Sequence, residues 1–67
     1  MRPCKSLVEG ERVVFRWFRG AIGFGTILSM GEDSVLVDNI KQFEIPLGHL
    51  IGVMDKDGEY SNLVHYE

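Results

Sequence analysis

The chain has little of what usually holds a small domain together. Only one cysteine, Cys4, occurs in 67 residues, so no disulfide can form within the chain. No group of cysteines and histidines has the spacing of metal ligands. A lone thiol is typical of a reducing compartment, because disulfides form and persist in oxidising ones. The sequence therefore predicts a cytoplasmic protein that holds no metal and no other cofactor.

Long apolar runs are also missing. No stretch approaches the roughly 20 apolar residues that a membrane-spanning helix needs. The N-terminus, "MRPCKSLVEGER", begins with basic residues but lacks the apolar segment of a secretory signal. We therefore expect no membrane contact.

A chain of this length forms one domain. We expect it to cover 1–67, with 1–10 as an N-terminal arm and 55–67 as a C-terminal hairpin or tail. So small a domain buries only about 60% of the surface that its unfolded chain exposes. Because neither a disulfide nor a metal adds stability, self-association is the remaining way to bury more apolar surface. The sequence therefore predicts a homo-oligomer.

Charge is distributed unevenly along the chain. Residues 1–19 hold five basic residues and two acids, a net charge of +3, whereas residues 20–67 hold two lysines and eight acids, a net charge of −6. The total of −3 argues against tight, non-specific binding to duplex DNA, which depends on neutralising phosphates. A basic strand on an acidic body is compatible with a small anionic ligand, with RNA, or with an acidic surface on another copy.

Eight glycines divide the chain into short runs rich in valine, isoleucine and phenylalanine. Such runs, separated by short turns, are typical of β-strands. The pattern predicts an all-β fold with strands at 12–18, 23–30, 34–38, 43–45 and 51–55. Pro46 ends the fourth strand and opens one 3-10 turn over 46–50. The segment 59–67 either adds a sixth strand or forms a loose arm.

The first predicted strand, "RVVFRWF", has one uniformly apolar face. Side chains alternate along a strand, so Val13, Phe15 and Trp17 point the same way. We expect Trp17 to be buried at the centre of the core. The residues expected around it are Phe15, Ile27, Val35 and Val37.

The second predicted strand contains Gly25, which marks a sharp bend or a close approach to another backbone. Beyond this glycine we expect Ile27 to face the core. Phe24 or Ile22 is then expected nearby, with the bend deciding which way each faces.

The other face of the first strand is half basic and half apolar. A ring flanked by guanidinium groups suits base stacking combined with phosphate contacts. It suits a subunit interface equally well, since aromatic residues and arginine are enriched at interfaces. The candidate residues for binding a nucleic acid or a partner are Arg12, Arg16, Phe18 and Arg19, and those for an oligomer interface are Val14 and Phe18.

Several segments resemble those of known small barrels. The entry "GERV", the strands "GTI" and "SVLVD" and the turn at Pro46 are similar to segments of SH3-like and KOW-type barrels of bacteria and phages. Gly20, Gly25 and the triplet 35–37 resemble the spacing found in Sm-like proteins. These resemblances imply a five-stranded SH3-like or Sm-like barrel with one 3-10 turn before the last strand. They imply either a protein-interaction or regulatory module, as in phages or mobile elements, or a protein that binds RNA or single-stranded nucleic acid.

A third resemblance is to the plasmid-borne dihydrofolate reductases of the second type, through "GERV", "RGAIGFGTI" and "FEIP". It implies a shared oligomeric barrel. The glutamine and tyrosine that this family uses for substrate and cofactor have no counterpart here, because Glu44 replaces one and the other is missing. Neither His49 nor His65 has an acid or nucleophile at a useful spacing. We therefore expect a binding module and no enzyme, with a reductase-like enzyme as the third alternative.

Overall fold

The computed structural model describes residues 2–65, which form seven β-strands and two 3-10 turns. The strands are β1 (Arg2–Pro3), β2 (Arg12–Arg16), β3 (Ile22–Met30), β4 (Ser34–Asn39), β5 (Lys41–Pro46), β6 (Leu50–Met54) and β7 (Tyr60–Val64). The 3-10 turns are Cys4–Ser6 and Leu47–His49. The all-β prediction is confirmed, and so is the turn expected between the fourth and fifth predicted strands. Residues 66 and 67 of the predicted tail lie outside the described part.

The strands form one sheet in the order β1-β7-β6-β2-β3-β4-β5. Seven strands replace the expected five because the predicted arm and tail pair with each other: β1 runs parallel to β7, and Arg2 lies opposite Leu63. The sheet is not closed into a barrel. Its two edge strands, β1 and β5, each contain one of the two prolines, Pro3 and Pro46. A proline lacks the N–H needed to extend a ladder, so it is confined to such edges.

The core lies on one side of this curved sheet. The side chains that are almost fully buried are Val13, Phe15, Ile27, Val35, Val37, Ile45 and Leu50. The predictions for Phe15, Ile27, Val35 and Val37 are therefore confirmed. The N-terminal segment is not a free arm, since Cys4 and Leu7 are buried in the same cluster.

Trp17 does not sit at the centre of the core as expected. It is half-buried at the rim, because β2 ends at Arg16 and Trp17 opens the turn to β3, with its N–H donating to the Ala21 carbonyl. Its indole packs edge-on between the rings of Phe15 (4.8 Å) and Phe43 (4.9 Å). Gly23 makes room for it, since a β-carbon there would overlap the indole.

The close approach predicted at Gly25 is confirmed. A β-carbon at this position would lie 3.0 Å from the Asp38 carbonyl oxygen and 3.2 Å from the β-carbon of Val37. The neighbouring apolar residues do not face the core, because the two glycines take the inward positions of β3. Ile22 and Phe24 therefore point outward, with 60% and 68% of their surfaces exposed.

Candidate binding surface

The outer face of the sheet, opposite the core, carries an apolar strip across its centre. The strip consists of Val14, Ile22, Phe24 and Tyr60. Val14 of β2 pairs with Phe24 of β3 on one side and with Gly52 of β6 on the other. The Tyr60 ring lies across Gly52, where a β-carbon would overlap it. The aromatic rings and Val14 thus form a continuous apolar surface over four neighbouring strands.

Two arginines of β2 border the apolar strip. Arg12 pairs with Thr26, and Arg16 pairs with Ile22. Both arginine side chains therefore project from the outer face, one on each side of Val14. Arg16 follows Arg12 by four positions of extended strand, so their α-carbons are about 14 Å apart. No acid occurs anywhere in 12–30, the segment that contains β2 and β3. This part of the outer face is therefore basic and apolar, and we call it the basic half.

The neighbouring hairpin, β4 and β5, presents acids on the same outer face. Asp38 pairs with Gln42, and Leu36 pairs with Glu44. Asp38 and Glu44 are exposed, and Leu36 is half-buried between them. The outward positions of these two strands contain no lysine or arginine, so we call this region the acidic half. Since Asp38 also pairs with Thr26 of β3, the two halves adjoin.

The predicted binding residues do not share one surface. Arg12, Arg16 and Val14 lie together on the outer face, whereas Phe18 and Arg19 lie in the turn after β2. The Phe18 ring is 73% exposed and stands 5.0 Å from the ring of His49, at an angle of 56°. The alternation that would align Phe18 with Val14 stops because the strand ends two residues earlier.

A groove lies at the end of β2, where the second 3-10 turn meets β6 and β7. Its polar side chains are Arg16, His49, Asn62 and His65. The Nδ1 atom of His49 is 2.9 Å from the Arg16 carbonyl oxygen, and Nε2 of His65 contacts the Leu50 carbonyl oxygen. We call this the histidine groove. The described residues that line it include no acid.

A second groove lies at the opposite end of β2 and has a different character. Arg12 lines it together with three acids, Glu9, Glu11 and Asp55. Glu11 forms an ion pair with Arg2 and accepts the Val8 N–H. Burial pushes the pKa of Glu11 upward, but the Arg2 guanidinium and the Val8 N–H outweigh it, so the pKa lies below its usual value. The carboxylate of Glu11 is therefore engaged locally.

Sequence reasoning missed the outward position of the large apolar side chains of β3 and the fact that the two histidines line one groove. The outward position of Ile22 and Phe24 has a signal in the sequence, because glycines at 23 and 25 alternate with them. The histidines have no such signal, since 16 residues separate them in the chain. Only the pairing of β6 with β7 brings them to one groove.

In comparisons with known proteins, no family model, curated protein or solved structure matches the chain. Within residues 2–65, no three histidine, cysteine or acidic side chains are grouped closely enough to hold a metal ion. The same residues contain no helix long and apolar enough to cross a membrane. The function must therefore be argued from the surfaces of this chain.

Proposed function

We propose that this chain is a non-enzymatic protein-interaction module of SH3-like or Sm-like type that forms a homodimer through its outer sheet face. The observation that carries the proposal is the division of that face into a basic half and an adjoining acidic half. Such a face is complementary to itself. A two-fold axis places the basic half of each copy over the acidic half of the other.

The charges select this arrangement over its alternatives. In an isologous interface, if one residue contacts a second, the second contacts the first across the axis. Arg12 and Arg16 of one copy then face Asp38 and Glu44 of its partner, and the same contacts recur on the other side. Stacking the basic halves on each other would instead oppose like charges, which costs several kcal/mol.

The apolar strip supplies the main attraction. Fully burying an exposed phenylalanine or isoleucine contributes about 1.5–3 kcal/mol, and each copy offers Phe24 and Ile22. Association costs several kcal/mol in lost freedom of motion, so we expect an affinity in the micromolar range. The charges at the border mainly fix the orientation and raise the association rate.

The free thiol of Cys4 is compatible with the cytoplasmic setting that we propose for this module. The thiol is free and 5% exposed, and burial raises its pKa. It therefore stays protonated and unreactive, as expected for a core residue in a reducing compartment.

Sedimentation velocity at micromolar concentration tests the dimer. Wild-type protein should sediment as a species of twice the chain mass of 7.6 kDa. Phe24→Ser should shift it to the monomer, whereas Val8→Ser should not. Val8 is a matched control, because it is 57% exposed, precedes β2 and is not one of the residues of the apolar strip. A monomeric wild type would contradict the proposal.

Two charge-reversal variants test the orientation. The first replaces Arg12 and Arg16 by glutamate, which makes the whole outer face acidic. The second replaces Asp38 and Glu44 by lysine, which makes it basic. Each should be monomeric alone, and an equimolar mixture should form a heterodimer. If the mixture stays monomeric while wild type is dimeric, the interface lies elsewhere.

Single-stranded nucleic acid is the second candidate partner. It is favoured by the exposed rings of Phe18 and Phe24 beside arginines in a segment without acids. Three arginines, Arg12, Arg16 and Arg19, permit about three phosphate contacts per copy, so binding would be weak and sensitive to salt. Titration with labelled oligo-U and oligo-A at low salt tests this candidate. Arg16→Ala with Arg19→Ala should abolish the binding and leave the circular-dichroism spectrum unchanged.

A further inference from the structure

The histidine groove concentrates positive and hydrogen-bonding groups in a chain that is acidic overall. It is lined by Arg16, two histidines and Asn62, and no acid lines its described part. The groove at the other end of β2 is lined by three cations, Arg2, Arg12 and Lys56, and by three acids, Glu9, Glu11 and Asp55. The two grooves share one strand, but of the two only the histidine groove has described walls without acids, so an anion there meets no repulsion from them.

The hydrogen bonds of the two histidines direct their remaining nitrogens away from the backbone. A carbonyl oxygen can only accept, so the ring nitrogens that contact Arg16 and Leu50 carry protons. The second nitrogen of each ring, Nε2 of His49 and Nδ1 of His65, is left for a ligand. Each can accept a hydrogen bond from a phosphate hydroxyl, or donate a hydrogen bond to a phosphate oxygen when it carries a proton.

Phe18 adds an apolar, planar element next to these groups. Its ring is 73% exposed and lies 5.0 Å from the ring of His49, although Phe18 itself is not among the residues that line the groove. An exposed ring in this position offers a face on which a flat, unsaturated group can stack, and such stacking contributes about 1–3 kcal/mol per base.

We propose that the histidine groove binds a nucleotide, with its phosphate held by Arg16 and the free nitrogens of His49 and His65, and its base stacked on Phe18. Arginine suits phosphate because its planar fork can bind two oxygens at once. Asn62 provides an amide for the sugar or for an edge of the base. The proposal does not rest on the dimer, since every group in it belongs to one copy, but the two compete for Arg16, which faces the acids of the second copy in the proposed dimer.

Nuclear magnetic resonance of the full-length protein tests this site with defined probes. Inorganic phosphate, adenosine, 5′-AMP and a 5′-phosphorylated oligo-A are titrated in turn, and the ring nitrogens of both histidines are observed directly. AMP should shift Nε2 of His49 and Nδ1 of His65, and should bind at least about tenfold more tightly than phosphate or adenosine alone. Equal binding of AMP and adenosine would overturn the role of the phosphate. Equal binding of AMP and phosphate would overturn the role of Phe18.

The two nucleotide probes distinguish the sources of the ligand. Tighter binding of AMP than of the oligonucleotide supports a free nucleotide, and the reverse order supports the phosphorylated end of a single strand. Binding of neither probe overturns the proposal.

Arg16→Gln and Arg12→Gln form the matched pair of variants. Both remove one charge from an exposed position of β2, and both weaken the proposed dimer, but only Arg16 lines the histidine groove. Arg16→Gln should lower AMP affinity at least about tenfold, whereas Arg12→Gln should leave it within about twofold. Equal losses in both variants would overturn the assignment. Sedimentation of the same samples shows separately whether the dimer forms.

Discussion

Two neighbouring hairpins of the sheet, β2–β3 and β4–β5, use the alternation of side chains differently. In β4 and β5 the branched apolar side chains of Val35, Val37 and Ile45 point into the core, and acids point outward. In β3 glycines take two inward positions, and the large apolar residues beside them point outward. The β4–β5 hairpin uses its apolar residues for folding, whereas the β2–β3 hairpin leaves several of them exposed for contact with another molecule.

The turns of the two hairpins differ in backbone strain. The turn after β2 contains Gly20 at a φ of 88°, a conformation that glycine adopts without strain. The turn between β4 and β5 contains Ile40 at a φ of 67°, and its side chain is 99% exposed. A β-branched residue in this region is an outlier that costs energy. The hairpin that serves the core is therefore strained at its tip, and the hairpin that carries the binding surface is relaxed.

The largest expected difference concerns two phenylalanines on neighbouring strands. Phe15 is fully buried and Phe24 is 68% exposed. Phe15→Ala should lower the free energy of unfolding by about 3–5 kcal/mol, because it leaves a cavity in the core. Phe24→Ala should change it by no more than about 0.5 kcal/mol in the monomer. Urea unfolding at a dilution below dimerisation measures both, and similar losses would show that Phe24 serves the fold.

Gly23 tests why glycines occupy the inward side of β3. A β-carbon there would overlap the Trp17 indole, so Gly23→Ala should displace the indole and destabilise the domain by about 1–3 kcal/mol. Gly48→Ala is the control, since no atom lies within 4 Å of a β-carbon at that position. Tryptophan fluorescence should shift to the red in the first variant only. An unchanged spectrum in Gly23→Ala would remove the explanation for this glycine.

The residues of the inward face could be predicted from the sequence, because successive side chains of a strand alternate between the two faces of the sheet. Val13, Phe15, Val35 and Val37 follow that alternation, with Arg12, Arg16, Ser34 and Asp38 among the residues between and beside them. Trp17 was misplaced because the end of β2 depends on a turn that begins at Trp17, and alternation does not mark where a strand stops. The pairing of β1 with β7 was missed, since it joins the two ends of the chain.

The candidate surfaces were predictable only in part. Arg12, Arg16 and Val14 lie on the outer face as alternation requires. The acidic half and the histidine groove depend on which strands are neighbours. Asp38 reaches the basic half through the pairing of β3 with β4, and His65 reaches the groove through β7. Strand order is a property of the whole fold, and local patterns do not contain it.

Ile40 allows the strain in the β4–β5 turn to be measured. Asparagine tolerates a positive φ better than a β-branched residue, so Ile40→Asn should raise the free energy of unfolding by about 1 kcal/mol. No burial is lost, because the isoleucine side chain is 99% exposed. Val8→Asn, at an exposed position with no positive φ, should give no such gain. A destabilised Ile40→Asn variant would mean that the isoleucine makes contacts that stabilise the turn.

The smallest effect is expected at Glu11, the last acid before the basic half. Its ion pair with Arg2 and its bond to the Val8 N–H should contribute about 1 kcal/mol, since both groups are only partly exposed. Burial alone would raise the pKa of Glu11, but the bonds to Arg2 and to the Val8 N–H lower it by more, so the net shift is downward. The folded state therefore favours the charged carboxylate more than the unfolded chain does. The stabilisation is therefore complete above the usual glutamate pKa and is lost as the pH falls through the lowered one. Glu11→Gln should be less stable than wild type at neutral pH, and urea unfolding curves of the two should converge once the pH has fallen below the lowered pKa of Glu11. Glu9→Gln, at a neighbouring exposed position, should follow wild type at both pH values, and a gap of unchanged size at low pH would show that the charge of Glu11 contributes nothing.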